Sequence, residues 1–179
     1  MGGELSGPEL LRRIRWITAI FIVGLVLSGI TAFPLGSELE LLGRILQIDP
    51  ALDVSHYHGL QFWIAKVWEA LRYEAAHYPF LAYGTDWLAF GHLVISLFFF
   101  PAWRDPVRYR GVYQCGLVAC GGVFALALIC GPIRGIPLYW RLIDCSFGFF
   151  GALPLLYVLR LTSRLERLGS TPRRDTLTA

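Results

Sequence analysis

The chain has 179 residues, of which 55% are hydrophobic and 16% charged, with a formal net charge of +3. An ordinary soluble domain carries about 25% charged residues, so this balance, with a mean hydropathy of +0.54, excludes a disordered or nucleic-acid-binding chain. The apolar residues fall in blocks and predict an all-α fold: a polytopic membrane protein with four transmembrane helices and one or two interfacial helices in its first outer loop.

The first span is expected over residues 14–33. Basic residues precede it as they would a signal peptide, but the apolar run is longer than such a segment needs and no clean small-x-small site follows, so it reads as a retained span. An outer loop over 34–86 comes next and is too hydrophobic for a plain linker. Ser37 followed by Glu40 has the spacing of a capping box and predicts a short helix through Leu41, Leu42, Ile45 and Leu46. A second loop helix is predicted over about 59–77. There Leu60, Trp63, Ile64, Val67, Trp68 and Leu71 share one face at helical spacing, so the helix either lies on the membrane surface or roofs the bundle.

The remaining spans are expected over 87–103, 112–131 and 139–161, with residues 163–179 as a frayed basic tail. Trp16, Trp87, Trp103, Tyr113, Tyr139 and Trp140 stand near span ends, where amphipathic rings favour the headgroup layer. With the N-terminus inside, the inner segments hold eleven arginines and the outer segments five basic residues. The asymmetry predicts an integral protein of the plasma (inner) membrane with both termini cytoplasmic. No internal repeat divides the chain, which reads as a single membrane domain over residues 1–179.

Small and polar residues recur along each span. Gly24, Ser28 and Thr31 share a face of the first, and Thr85, Ala89, His92 and Ser96 share one of the second. Gly116, Ala119, Cys120 and Gly122 follow in the third, and Arg141, Asp144, Cys145, Gly148 and Ala152 in the fourth, ahead of Pro154, which is expected to kink it. These stripes are expected to face one four-helix core. A charge at mid-membrane costs about 2.5–3.5 kcal/mol even on lenient scales, which singles out Asp144 and His92 as a catalytic pair at comparable depth.

Arg134, held by the turn Gly131-Pro132-Ile133-Arg134-Gly135-Ile136-Pro137, and Arg141, three residues before Asp144 and able to pair with it, are candidate ligand-binding groups. Asp86 and Tyr139, at the mouths of the second and fourth spans, join them. In the outer loop, Asp53, His56 and His58 form a candidate metal set, since alternate residues of an extended segment face one way. No Walker loop, nucleophile elbow or dinucleotide fingerprint appears, the four cysteines form no C-x-x-C pair, and no cofactor is expected.

The run 79–92, the turn 131–137 and the stretch Trp140-Arg141-Leu142-Ile143-Asp144-Cys145-Ser146 together resemble a group of uncharacterised bacterial four-span membrane proteins. That resemblance implies that His92, Arg134, Arg141 and Asp144 belong together. The layout also resembles the emopamil-binding (sterol isomerase) group, whose members shift a double bond with membrane-embedded acids beside a protonatable partner. His92 stands where a glutamate of that group is expected.

Two functions follow from these residues. One is a small membrane subunit or binding protein with an outward-facing polar pocket, its partners being the bilayer, a lipid or amphipathic ligand, or a larger membrane complex. The alternative is a lipid-modifying enzyme of isomerase-like acid–base chemistry, in which His92 and Asp144 exchange a proton with the substrate.

Overall fold

A hydrophobic span must close all its backbone hydrogen bonds on itself, and the chain does so with helices alone. The computed structural model describes residues 6–170, and among them there is no strand. Helix α1 covers Gly7–Ala32, α2 Leu35–Ile45, α3 Gly59–His77, α4 Tyr83–Arg104, α5 Arg110–Ala125, α6 Gly131–Ile133 and α7 Leu138–Ser170. Short 3-10 turns at Val54–His56 and Pro79–Ala82 lead into α3 and α4, and a π-helical turn at Leu126–Cys130 joins α5 to α6. Among the described residues four stretches are long and apolar enough to cross a membrane: Gly7–Ala32, Pro79–Arg104, Arg110–Ile133 and Leu138–Gly169.

The chain divides into two compact units. One comprises residues 1–23 and 96–179, the other residues 24–95. In the first, α5 packs along α7. Gly148 lets the two backbones meet, because a Cβ there would stand 2.6 Å from the Cys120 carbonyl oxygen. Gly116 likewise leaves room for Leu155 and Phe99. The buried centre is Ile14, Thr18, Ala102, Tyr113, Leu155, Val158 and Thr162. The outer surface is as apolar as the core: Ile20, Leu97, Val118 and Phe147, one on each long helix, are 68–76% exposed. Each such side chain forgoes about 1.5–3 kcal/mol if it faces water, so an apolar solvent is required around all four helices.

Tyr113 carries the polar part of this core. Its hydroxyl donates to the Ala102 carbonyl at 2.9 Å and lies 3.0 Å from Thr18 Oγ1. The Ala102 carbonyl sits in the last turn of α4, and the residue four places on is Pro106, which has no N–H to offer. Tyr113 takes the missing donor's place, so it belongs to the core and not to the headgroup layer expected for it. At the same end, Arg15 donates through Nη2 to the Arg104 carbonyl at 3.1 Å, matching a cation to the negative end of α4.

In the second unit, α2 packs on α3 where Gly43 meets the Trp68 ring, 2.8 Å from a built Cβ. The end of α2 is a Schellman cap. Gln47 adopts φ 56, the Ile48 N–H bonds the Gly43 carbonyl at 2.8 Å and the Gln47 N–H that of Arg44 at 3.2 Å. Gln61 Nε2 closes a further open carbonyl, that of Leu46, at 2.9 Å. Helix α3 covers the residues its periodicity predicted, starting at Gly59, where φ is 56.

Three expectations are corrected. The Ser37–Glu40 capping box is not formed: α2 starts two residues before Ser37 with Pro34 at its N-cap, which offers no side-chain acceptor, and Glu40 pairs with Arg44 at 2.6 Å. The fourth helix does not stop at Leu161, because Ser163 bonds the Leu159 carbonyl, Arg167 bonds that of Ser163, and Glu166 meets Arg110 at 3.4 Å. Residues 171–179 of the expected tail lie outside the described residues. Finally, not every small-residue stripe faces a core. Gly24, Ser28, Thr31, Ala119 and Gly122 are exposed, and Gly29, against the Ala89 carbonyl and Leu93, makes the close approach in place of Gly24.

Candidate functional site

The backbone irregularity of the third span builds the strongest candidate. Between α5 and α6 the Gly131 N–H reaches five residues back to the Leu126 carbonyl, so Leu126–Cys130 make a π turn, a distortion often met at functional sites. The chain then ends α6 in a second Schellman cap. Gly135 adopts φ 70, its N–H bonds the Pro132 carbonyl, and the Ile136 N–H bonds that of Gly131, both at 3.0 Å. Two residues later Pro137 opens α7, its carbonyl accepting from the Trp140 and Arg141 N–H groups at 3.1 Å. Arg134 is thereby fixed one residue before a locked turn, and Asp144 lies six residues into α7, about 9 Å along its axis.

These two residues line one cavity of 470 Å³. Its other walls are Val123, Leu126, Ala127, Cys130, Gly131 and Ile136. Among the described residues Arg134 and Asp144 are the charged groups in a largely apolar recess, Arg134 exposed and Asp144 half-buried. The volume falls in the range of small-molecule sites, and the lining has their composition, apolar with few polar groups.

Arg141 does not complete an ion pair with Asp144 as its spacing allowed. Among the described residues the salt bridges are Arg44–Glu40 and Arg110–Glu166. The Arg141 stem packs instead on Gly131, where a Cβ would lie 2.5 Å from its Cδ, and its Nε is buried without a hydrogen-bond partner. Gly131 is part of the cavity wall, so Arg141 stands directly behind it and Asp144 keeps its carboxylate for the recess.

No family model matches this chain, and neither does any curated protein or solved structure. The chemistry must be read from the residues themselves.

His92 belongs to the second unit and is not among the residues that line this cavity. It is half-buried, and its Nδ1 lies 2.8 Å from the Leu88 carbonyl, a bond that engages one ring nitrogen and does not involve Nε2. Asp86 is half-buried in the first turn of α4, and Tyr139 is exposed in the first turn of α7.

The structure does not bring Asp53, His56 and His58 together as metal ligands. Among the described residues no group of three or more His, Cys, Asp or Glu side chains is placed to hold a metal ion. Local bonds explain this. Asp53 caps the 3-10 turn by accepting from the Ser55 N–H at 2.8 Å, and this bond with the Ser55 hydroxyl draws its carboxyl below the usual aspartate range. The His58 Nδ1 sits 2.6 Å from the Tyr57 carbonyl, and the segment is a 3-10 turn and not the extended strand that would align alternate imidazoles.

Neither the Tyr113–Thr18–Ala102 cluster nor the part that Leu126–Cys130 play in the site is among the expectations drawn from the sequence. Pro106, four residues after Ala102, was a readable signal for the first. Nothing in the residue types of Leu126–Cys130 marks a π turn.

Proposed function

We propose that the chain is a small integral membrane binding protein, or the ligand-holding subunit of a larger membrane complex, which receives an amphipathic molecule in the Arg134–Asp144 cavity. The single observation that carries this reading is the recess of 470 Å³ whose apolar wall holds one cation and one anion unpaired with each other. Arg134 suits a carboxylate or phosphate oxygen on the ligand, bidentate where its geometry allows. Asp144 suits an ammonium or hydroxyl group, and the aliphatic walls suit a hydrocarbon body. The excess of arginines on inner segments supports a plasma-membrane location with both termini in the cytoplasm and this cavity on the outer side. Resemblance to four-span bacterial proteins in the segments 79–92, 131–137 and 140–146 supports the same reading.

Native mass spectrometry of the protein extracted with its own lipids tests it. The wild-type protein is expected to retain one small amphipathic species that Arg134→Gln and Asp144→Asn each release while the helical content stays unchanged. Equal retention by all three proteins removes the reading. The acid–base alternative draws on Nε2 of His92, which the Leu88 bond does not engage. It takes precedence if a retained lipid is converted on incubation and His92→Gln stops conversion without releasing the lipid.

A further inference from the structure

A second recess lies at the other end of the same unit. It has a volume of 480 Å³ and is lined by Pro8, Leu11, Arg12, Arg15, Trp16 and Ala19 of α1 together with Trp103 of α4. Arg12 and Arg15 are three apart on one helix and so share a face. The Arg15 guanidinium is already placed by two contacts, one Nη2 bond to the Arg104 carbonyl and its position 6.0 Å above the Trp103 ring. That arrangement uses one of its five donors and leaves the others for an incoming acceptor. Arg12 is exposed and, among the described residues, enters no side-chain hydrogen bond, and Trp16 is 67% exposed.

The charge of the segments at this end of the unit is one-sided. Residues 6–15, 104–110 and 160–167 hold nine arginines against Glu9, Asp105 and Glu166. Glu9 is turned to the Ser6 N–H and hydroxyl, and Glu166 meets Arg110. Asp105 caps its own turn by accepting from the Arg108 N–H. These acids keep their charge, Glu9 beside Arg12 and Arg13 included, but the three segments retain a surplus of positive charge, and Arg12 and Arg15 bring two of its guanidinium groups to the recess. An occupant must combine an anion able to meet two guanidinium groups with a chain that lies on Trp16, Ala19 and Trp103.

We propose that this groove is a binding site for an anionic phospholipid, whose phosphodiester meets Arg12 and Arg15 while the start of an acyl chain runs between Trp16 and Trp103. The inference rests on the membrane-spanning reading but is independent of the ligand in the Arg134–Asp144 cavity. Free inorganic phosphate carries the same anion without the chain and leaves the two tryptophans uncovered, so the lipid is the occupant that uses the whole lining. Arg15 serves both as cap of α4 and as headgroup donor; Arg12 serves the headgroup alone.

The test places the full chain in nanodiscs of equal parts phosphatidylglycerol and phosphatidylcholine and reads the lipids that stay bound on release in a native mass spectrometer. Wild-type protein is expected to keep phosphatidylglycerol in preference to phosphatidylcholine. Arg12→Gln, which leaves the Arg15 bond to the Arg104 carbonyl in place, is expected to lower that preference by about five- to tenfold, the effect of one charge-assisted contact. Trp16→Ala is expected to lower it as well, and excess inorganic phosphate to leave it unchanged. Retention unaffected by both substitutions overturns the proposal, and displacement by phosphate overturns its assignment to a lipid. Failure of the wild-type chain to enter nanodiscs, with recovery in detergent-free solution, overturns the membrane reading instead.

Discussion

A buried hydroxyl that serves two partners is worth more than one that serves a single partner, and Tyr113 shows the difference at the scale of one residue. Its oxygen joins Thr18 on α1 to the Ala102 carbonyl on α4, while its ring lies 6.1 Å from that of Phe99. Tyr113→Phe keeps the ring and strands a carbonyl for which Pro106 provides no substitute donor, together with a threonine hydroxyl that is 1% exposed. An unsatisfied buried group costs about 1–3 kcal/mol, although polar contacts within membranes average lower, about 0.6 kcal/mol. Tyr113→Phe is therefore expected to destabilise the protein by about 1–2 kcal/mol. Thr18→Val, which leaves the bond to Ala102 in place, should cost less than half of that. Unfolding midpoints in a mild detergent check the order, and equal losses for the two variants would show that the Ala102 carbonyl gains nothing from Tyr113. The same logic applies at Asp144, which is spared an intrahelical partner because Arg141 turns to Gly131.

At the scale of the element, glycines on one helix pair separate by what stands opposite them. A Cβ at Gly148 would meet a backbone oxygen of α5 at 2.6 Å, whereas one at Gly121 would meet nothing within 4 Å. Backbone cannot swing aside as a side-chain tip can, so Gly148→Ala is expected to prise α7 from α5 at a cost of about 1–3 kcal/mol. Gly121→Ala, in an open helical position, should be neutral or stabilise by up to about 1 kcal/mol. Paired thermal unfolding of the two variants decides this, and a loss at Gly121 matching that at Gly148 would mean that the open face of α5 is covered. Helical elements of this kind were largely legible in the sequence, since length, periodicity and turn residues are local. Helix α3 is bounded by Gly59, with its positive φ, and by Pro79, and it matches its periodicity to the residue. The start of α2 was not legible because a proline took the N-cap in place of the serine inside the helix. The extension of α7 was hidden because a polar sequence held by i,i+4 side-chain bonds looks like a solvated tail. Of the candidate site, the turn 131–137 was readable from Gly and Pro, and it does put Arg134 and Asp144 on one wall. The π turn beside them was not, because an i to i+5 bond changes no residue type and leaves hydropathy as it was.

Over the whole molecule the decisive quantities are apolar surface and the placement of charge. Only 11% of the most apolar stretch of Arg110–Ile133, mean hydropathy 2.2, is buried within the protein, and no soluble chain could leave such a helix facing water. Arginine then sets direction, because basic residues flanking spans are retained on the cytoplasmic side. The end of α4 and the turn after it carry Arg104 and Arg108, whereas the turn after α2 carries Gln47, Asp49 and Asp53. A cysteine introduced at each position reads the outcome directly. With the four native cysteines replaced by alanine, Gln47→Cys is expected to react with a membrane-impermeant maleimide on intact cells, and Arg108→Cys only after permeabilisation. The reverse pattern would place the Arg134–Asp144 cavity toward the cytoplasm and send the search for its ligand to the inner leaflet. Labelling at both positions from outside would mean that the spans do not cross the bilayer. The two sites are separated in sequence by α3 and α4, so labelling at one predicts protection at the other only if the chain crosses once between them, which α4 alone, among the helices between, is long and apolar enough to do.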